Sequence, residues 1–514
     1  MTDRLGARVA LGLLAALLAV PGSAAAAYHA DSDTGVEALD YIENEHRSAR
    51  EQKLTAEQKQ LLADAENMSK HLRRPYDKTD KTQTMPVAFE GDELTYDERT
   101  GDFSAKGKVN ILQMDAHRFQ ADDVSGNTQK QQIVVPGKAH ILQMTPGEVR
   151  VTLDGYDVNY NYGLKTGTMG QAIGKAGSHY ITGKRFEFYP DHIVVYDGTE
   201  TRCSAKSPDY HLAASKIVLY PNDRVEMDNV RFYLKHMKIL QKKHYVNDKL
   251  GGQNGGQPSF PRIGYNDDDG MWLKWHLDQD LGNHVQANEH LHVTKKDGWR
   301  SNYDVTYAHA GLRSGITYGH FEDGDEHWIK REPSWVTSFD HRLGHSHFHY
   351  GLDTEYGRWY GDGVHSTHTY GGVRFSYDPI KWSRNTLYLG TGYDMTHESY
   401  DDSNVHGARF DAVLTRDIDL RWAAYVGYHY SKKNEENSLF NYDTDDFSKK
   451  AEGGFSYRVD DNNRLVVGTR YDLDHSEWNH VDYYWYHSMH CAELVLRYKS
   501  MDNSWNVRLQ FTPW

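Results

Sequence analysis

The sequence lacks the features that would place it among helical membrane proteins or disulfide-rich secreted proteins. It has 514 residues, only two cysteines and a mean hydropathy of −0.78. Beyond residue 27 no run approaches the roughly 20 apolar residues of a transmembrane helix. The net charge of −15 argues against a nucleic-acid partner, because a polyanion would be repelled over most of the surface. A large secreted protein and a β-barrel, whose alternating strands escape hydropathy windows, both stay open.

The first 27 residues have the pattern of a secretory signal peptide. Arg4 and Arg8 form a short basic segment, an apolar run extends from Val9 to Val20, and Pro21 breaks it. Small residues follow through Ala27, where we expect cleavage. The apolar run is too short to span a membrane. The mature chain is therefore expected to be exported, and two cysteines in an oxidising compartment favour one disulfide.

The composition divides the remaining chain into four segments. Residues 28–80 are highly charged and favour a solvated helix or helical hairpin that docks weakly or acts as a spacer. Residues 81–245 have the pattern of short strands separated by turns. Residues 246–262 form a glycine-rich linker, and residues 263–514 show longer strands.

The segment 81–245 contains an internal repeat. Gly107 to Met114 (GKVNILQM) recurs as Gly137 to Met144 (GKAHILQM), offset along the chain. Strand units that cannot bury their own faces must stack on one another. We therefore predict a β-solenoid or β-jelly roll for this segment.

The segment 263–514 alternates apolar and polar residues over long stretches. In the last stretch Trp505, Val507 and Leu509 share one face, while Asn506 and Arg508 share the other. About 14 such stretches are long enough to cross a bilayer as tilted strands of roughly 9–11 residues. Charged residues recur on the polar face, which suits a wet lumen opposite a lipid-facing wall. The fold class predicted is thus all-β: an N-terminal jelly roll followed by a C-terminal transmembrane antiparallel barrel of about 14 strands.

Several motifs resemble the LptD (LPS-assembly protein, OstA) family. Around the first cysteine these are Thr201-Arg202-Cys203, Tyr210 to Ile217 (YHLAASKI) and Asn229 to Phe232 (NVRF), and upstream Phe89 to Asp97 (FEGDELTYD) resembles the OstA/LptA repeat. The resemblance covers residues 80–280 well and matches the barrel in architecture. It implies an outer-membrane translocon that receives lipopolysaccharide from an LptA-type periplasmic bridge and inserts it into the outer leaflet through a lateral barrel gate.

The resemblance also assigns residues to that mechanism. It implies that acyl chains lie in a groove of the periplasmic jelly roll, for which the candidates are Ile111, Phe119, Ile141, Val151, Phe186, Phe188, Ile193 and Val195. The gate lies between the first and last strands, where prolines remove backbone N–H groups that would donate hydrogen bonds to the neighbouring strand. The gate candidates are Pro258, Pro261 and Pro513, although turn prolines at strand ends would look the same.

The family uses a disulfide to fix its periplasmic domain to the barrel, which implies a Cys203–Cys491 bridge here. The other partners that the resemblance implies are the barrel-assembly machinery and an LptE-type lipoprotein plug. This chain departs from the family in having a smaller barrel and two rather than four cysteines. A smaller lumen leaves less room for the plug.

Three rival interpretations come from other classes. A barrel lipase or deacylase would need a Ser–His pair, yet in His345-Ser346 and His365-Ser366 the adjacent residues point to opposite faces of a strand, and no Gly-x-Ser-x-Gly motif occurs. A passive porin would need neither the OstA-like segment nor a bridging cysteine. A soluble polysaccharide-binding protein would partition into the aqueous phase, whereas a membrane barrel would need detergent to stay in solution. His345, His347 and His349 invite a zinc interpretation, but alternation alone produces such sets. We predict no enzyme, no metal site and no cofactor.

Overall fold

A computed structural model of the chain describes residues 35–51, 53–71, 86–145, 149–177, 179–203, 207–220, 224–248, 261–322, 328–361, 363–434, 440, 448–489 and 491–511. It divides into two compact units, residues 1–49 with 259–511 and residues 50–258 with 512–514. We call the first the barrel unit and the second the sheet unit. The predicted signal peptide, Pro258 and Pro513 lie outside the described residues.

The charged segment 28–80 contains two helices, α1 (Val36–Glu51) and α2 (Ala56–Lys70). Thr55 caps α2 through a capping box, since its hydroxyl accepts from the Gln58 N–H while the Gln58 side chain accepts from the Thr55 N–H. Neither of these helices is long and apolar enough to cross a membrane. All but the last two residues of α1 belong to the barrel unit, whereas α2 belongs to the sheet unit.

The sheet unit contains fourteen strands in its described residues, paired antiparallel throughout. They are β1 (Val87–Glu90), β2 (Glu93–Tyr96), β3 (Asp102–Gln113), β4 (His117–Asn127), β5 (Gln132–Gln143), β6 (Val151–Asn161), β7 (Thr166–Met169), β8 (Ala172–Ala176), β9 (His179–Gly183), β10 (Arg185–Phe188), β11 (Ile193–Thr201), β12 (Tyr210–Leu219), β13 (Arg224–Leu234) and β14 (Met237–Asp248). The sheet order is β1-β3-β4-β5-β6-β7-β10-β11-β12-β13-β14, with β2 on β3, and β8 and β9 between β6 and β11.

The internal repeat explains how α2 docks on this sheet. Its two copies form parts of β3 and β5, where Leu112 and Leu142 occupy equivalent positions. Both leucines pack against Leu61 and Ala65 of α2. An ion pair between Asp64 and Arg118 adds to this contact. The contact buries Leu61 and Ala65, so α2 docks on the sheet.

The barrel unit is a closed antiparallel barrel. Its strands are β15 (Arg262–Asn266), β16 (Gly270–Gly282), β17 (Val285–Thr294), β18 (Gly298–Trp299), β19 (Asn302–His309), β20 (Leu312–Glu322), β21 (Trp328–Arg342), β22 (Phe348–Gly361), β23 (Val364–Trp382), β24 (Asn385–Glu398), β25 (Ser403–Asp417), β26 (Trp422–Lys433), β27 (Lys449–Arg458), β28 (Asn463–Asp472), β29 (Glu477–Ser488), β30 (Ala492–Lys499) and β31 (Ser504–Phe511). β18 and β19 follow one another along β17, so the described barrel has 16 strands.

The predicted count of about 14 is therefore wrong by two strands, for two physical reasons. β15 has only five residues and follows the glycine-rich segment, so it offers too little alternation to detect. β29 carries aromatic residues on both faces, with Tyr483 exposed and Tyr486 buried. Its alternation of apolar and polar residues is therefore hidden.

Candidate functional site in the barrel lumen

The barrel wall has the polarity of a membrane protein. Along β20 to β22, the exposed side chains Ile316, Trp335 and Tyr356 alternate with the buried side chains Thr317, Ser334 and Glu355. The same alternation continues around the barrel, with outward residues that include Val373, Phe375, Met395, Val426, Phe455 and Leu465 and inward residues that include His368, Glu398, Asp411, His429, Glu452 and Asp482. An apolar outer face and a polar lumen are the arrangement of a transmembrane β-barrel.

A polar cavity of about 420 Å³ lies along the lumen side of β17 to β23. Side chains of opposite charge alternate along its wall. Arg331 forms a two-pronged ion pair with Glu355 (Nε and Nη2 each 2.7 Å from a carboxylate oxygen), and Arg313 lies 3.6 Å from Asp304. Tyr370 and several threonines complete the lining. Hydroxyls, carboxylates and guanidinium groups of this kind suit a hydrated, polar solute.

Helix α1 lies inside the barrel, against the opposite part of the wall. Val36, Leu39 and Ile42 are buried against side chains from six strands between β24 and β30, among them Tyr388, Val413, Tyr425, Val466, Tyr486 and Val495. A straight helix meets so many consecutive strands only from the concave side of a curved wall. Four apolar side chains of α1 are buried, namely Val36, Ala38, Leu39 and Ile42, so α1 is not solvated on this face.

Charge complementarity holds α1 in the lumen. Asp40 pairs with Arg464 and also accepts from the hydroxyl of Tyr486 at 3.3 Å, while Glu43 pairs with Arg458. On the next turn, His46 lies 2.9 Å from Asp417 and Arg47 lies 3.6 Å from Glu493. Acidic residues early in α1 thus meet basic wall residues, and basic residues late in α1 meet acidic ones. These contacts place α1 near the rim where β15 begins and β31 ends, which we call the terminal rim.

A second polar network lies toward the opposite rim. The imidazole of His368 stacks on the indole of Trp359 with ring centroids 3.5 Å apart, and it hydrogen-bonds to Glu398 at 2.5 Å. The Trp359 indole N–H donates to Glu355 at 2.9 Å. Phe440 packs edge-on against the same indole. The network links the cavity to a buried apolar contact at this rim.

The seam that closes the barrel is short. Residues Ile263 to Asn266 of β15 pair with Asn506 to Leu509 of β31, whereas the neighbouring pairing of β30 with β31 runs from Ala492 to Lys499. The guanidinium groups of Arg262 and Arg508 repel each other here. Within the described residues, Arg508 Nε is buried and has no hydrogen-bond partner. Few ladder bonds and like charge weaken this seam.

The structure brings together the first three of the predicted groove residues. Ile111 pairs with Phe119, Phe119 with Ile141, and Ile141 with Leu153, so they form one buried row across β3 to β6. Val151 lies in β6 beside this row and is also buried. Leu153 belongs to the row although the sequence did not single it out.

The other groove candidates form a second row across β10 and β11. Phe186 pairs with Val195 and Phe188 with Ile193. Phe186 and Val195 are buried, whereas Phe188 and Ile193 are half-buried. Tyr160 connects the two rows, since its ring lies 5.3 Å from that of Phe119 and 6.1 Å from that of Phe188. The predicted residues thus share a continuous apolar interior in the sheet unit.

The remaining predicted residues have simpler outcomes. Neither cysteine is free: Cys203 and Cys491 are both disulfide-bonded and buried, as expected for two cysteines in an oxidising compartment. Pro261, the one gate candidate among the described residues, is buried directly before β15. His345 and His347 lie in the turn before β22 rather than on a strand, and His347 joins His349 at Asp378 (2.9 and 2.7 Å). In the described ranges, no group of three His, Cys, Asp or Glu suits a metal ion.

The position of α1 in the lumen and the pairing of the charged residues in the cavity were not predicted from the sequence. The signal for α1 was present, since Val36, Leu39 and Ile42 repeat at helical spacing among acidic residues. The sequence of a single strand does not show which inward charged residue on the next strand will be its partner. Those pairings depend on the register of neighbouring strands.

These features define a protein of the outer-membrane β-barrel class. Comparisons with family models and with curated proteins gave no match. Solved structures with similar barrels include a triple mutant of the Rh. blastica porin (8% identity, 49% of this chain and 98% of that chain, TM-score 0.31) and OmpT of Vibrio cholerae (10% identity, 48% and 92%, TM-score 0.25). The outer membrane channel DcaP of Acinetobacter baumannii is also similar (10% identity, 69% and 86%, TM-score 0.24). Likenesses this distant do not decide the function.

Proposed function

We propose that this chain is an outer-membrane translocon that inserts lipopolysaccharide into the outer leaflet through lateral opening of its barrel. The observation that carries the proposal is the short β15–β31 seam beside a polar lumen. An amphiphile with a large polar head needs a wet path for the head and a sideways exit for its acyl chains. A barrel without a weak seam offers only the wet path.

The sheet unit supports the same proposal. Its two rows, the second of them partly buried, form an apolar interior that extends from β3 to β11. In this proposal the unit is the periplasmic OstA/LptA-like jelly roll, and it receives lipid from an LptA-type bridge. The side chains of the two rows shield the acyl chains from water. Such an interior suits acyl chains because it offers them apolar surface away from water.

The proposal also fixes the location of the chain. Residues 1–27 act as the signal peptide, the terminal rim of the barrel faces the periplasm, and the barrel-assembly machinery inserts the barrel. The apolar outer face of the wall supports a membrane location. The chain performs no covalent chemistry in this role. Because α1 already fills part of the lumen, an LptE-type plug has less room.

The second candidate function is a passive channel for small polar solutes. The cavity along β17 to β23 favours it, because its alternating charges and hydroxyls provide a hydrated path independent of any seam. A channel of this kind does not require the apolar interior of the sheet unit.

Depletion of the protein separates these functions. Newly made lipopolysaccharide is pulse-labelled and followed to the cell surface, with a wild-type copy supplied in trans as the control. We expect surface arrival to fall while synthesis continues and labelled lipid accumulates inside. Unchanged lipid arrival with reduced uptake of small polar solutes would establish the channel instead. Unchanged arrival with altered lipid A acylation would establish an enzyme and overturn the proposal.

A further inference from the structure

Two buried arginines oppose each other in the barrel wall near the terminal rim. Arg458 ends β27 and Arg464 lies at the beginning of β28, and they are direct cross-strand partners. Each side chain is buried, with 8% and 7% of the residue exposed. Like charges directly opposite one another destabilise a strand pair. Such a pair persists only where something anionic sits against it.

The anionic groups in this structure come from α1. Asp40 pairs with Arg464 and Glu43 pairs with Arg458, so two carboxylates one helical turn apart face two guanidinium groups. The ring of Tyr486 stacks under Arg464, with 3.9 Å between the guanidinium carbon and the ring centroid. Glu493 of β30 pairs instead with Arg47 of α1, at 3.6 Å.

One donor of this cluster stays unused. Arg464 Nη1 is buried and has no hydrogen-bond partner among the described residues. A buried, unsatisfied guanidinium N–H is costly. A ligand with more acceptor oxygens than a single carboxylate would satisfy it, and phosphate has that property.

The contacts between α1 and the barrel wall are also of a kind that a ligand could displace. The apolar contact of α1 is confined to the beginning of the helix, from Gly35 to Ile42, and its ion pairs extend from Asp40 to Arg47. Water and ions can replace the charged contacts when the helix leaves, whereas Val413, Val466 and Val495 of the wall would then face the lumen.

We propose that Arg458 and Arg464 form a binding site for a phosphate-bearing ligand, and that Asp40 and Glu43 occupy this site in the closed state. Helix α1 is then an internal plug that an anionic ligand displaces by competing for the two arginines. Arginine forks bind phosphate bidentately, which a point charge does not do. The phosphate group has two possible sources, free inorganic phosphate and a phosphorylated lipid headgroup. Only the lipid source rests on the proposed translocation function.

The first test is conductance of the purified full-length protein in planar bilayers. The double variant Asp40→Asn/Glu43→Gln removes the carboxylates that occupy the site. We expect its mean conductance to rise about twofold, because a 16-stranded barrel leaves an aqueous channel once no helix fills it. Glu45→Gln is the matched control on the same helix, since Glu45 contacts Lys381 at 3.8 Å and not the arginine pair. If the double variant conducts like the wild type, the plug is refuted.

The second test adds the ligand at constant ionic strength. One arm adds inorganic phosphate, and the other adds soluble lipid A with or without its phosphates. We expect inorganic phosphate and phosphorylated lipid A to raise the conductance of the wild type, and lipid A without phosphates to leave it unchanged. Arg464→Lys keeps the charge and loses the fork, so we expect it to lose the response; heat-modifiable migration in gels checks that it is folded. A response only to inorganic phosphate keeps the site and rejects the lipid source. A response that Arg464→Lys retains, or no response in either arm, overturns the proposal, whatever the depletion experiment shows for lipopolysaccharide arrival.

Discussion

Gly35, directly before α1, lies so close to Tyr425 of β26 that a Cβ atom on the glycine would stand 2.1 Å from Cε2 of the ring. Its N–H donates to Glu452 at 2.9 Å. The wall offers a glycine in return, because a Cβ on Gly468 would stand 2.6 Å from Val36. Missing side chains on both partners thus let the beginning of α1 lie flush against the lumen wall.

We predict that Gly35→Val loosens α1 from the wall, because the added side chain must displace the ring of Tyr425 or the helix. Limited proteolysis of the folded full-length protein should then cut within α1 faster than in the wild type. Gly453→Ala in β27 is the matched control, since its nearest new neighbour would be a backbone oxygen 3.7 Å away. Equal cutting rates for Gly35→Val and the wild type would mean that the close approach does not hold the helix.

The seam supplies a second prediction. Tyr265 and Val507 are register partners in β15 and β31, so cysteines at both positions should form a bridge that locks the seam. We expect arrival of pulse-labelled lipopolysaccharide at the cell surface to stop, while conductance of the purified protein stays unchanged. Cysteines at Val467 and Tyr483, which are partners in β28 and β29, provide the control. Normal arrival with a locked seam would exclude lateral exit between these strands.

Much of the fold was readable from local pattern. Alternation predicted most of the barrel strands, and the repeat at Gly107 and Gly137 marks the equivalent strands β3 and β5 of the sheet unit. β29 escaped because its lumen-facing Tyr486 packs against α1 rather than facing water. A strand whose inner face meets a helix loses the polar half of its alternation, so the unpredicted position of α1 and the missed strand have one cause.

The candidate site was less readable, because it is made by register rather than by motif. Arg458 and Arg464 are separated by a turn, and only antiparallel pairing places them opposite each other. Their partners Asp40 and Glu43 lie more than 400 positions earlier in the chain. No local pattern in either segment identifies the other.

The apolar interior of the sheet unit gives a third prediction. Phe186 is 1% exposed and pairs with Met169 and Val195. We expect Phe186→Ala to lower the free energy of unfolding of this unit by about 3–5 kcal/mol, through lost burial and the cavity that remains. Hydrogen exchange of the β10 and β11 amides in the full-length protein measures it. Ile173→Ala is the control, because Ile173 is 60% exposed and its loss should change stability by about 0.5 kcal/mol or less. Equal exchange in the two variants would contradict a packed interior at Phe186.

Acid should weaken the sheet unit through His117. The imidazole stacks on Phe119 with ring centroids 5.2 Å apart, and burial, with a smaller contribution from Lys165, lowers the pKa of His117 to about 4. The unfolded chain, with a pKa near 6.5, binds this proton first as the pH falls, so stability is full above about pH 6.5 and declines toward pH 4. Because the side chain is partly exposed, we expect a loss of about 1–2 kcal/mol between pH 7 and 4.5 from this group.

His117→Gln removes that titration. Hydrogen exchange of the β4 amides should show the variant less stable than the wild type at pH 7, with the difference shrinking or reversing at pH 4.5. The shrinkage follows because protonation of the unfolded state no longer penalises the variant. A stability difference that is the same at both pH values would mean that His117 titrates alike in the folded and unfolded chain, and that its contact with Phe119 does not exclude the charged imidazole.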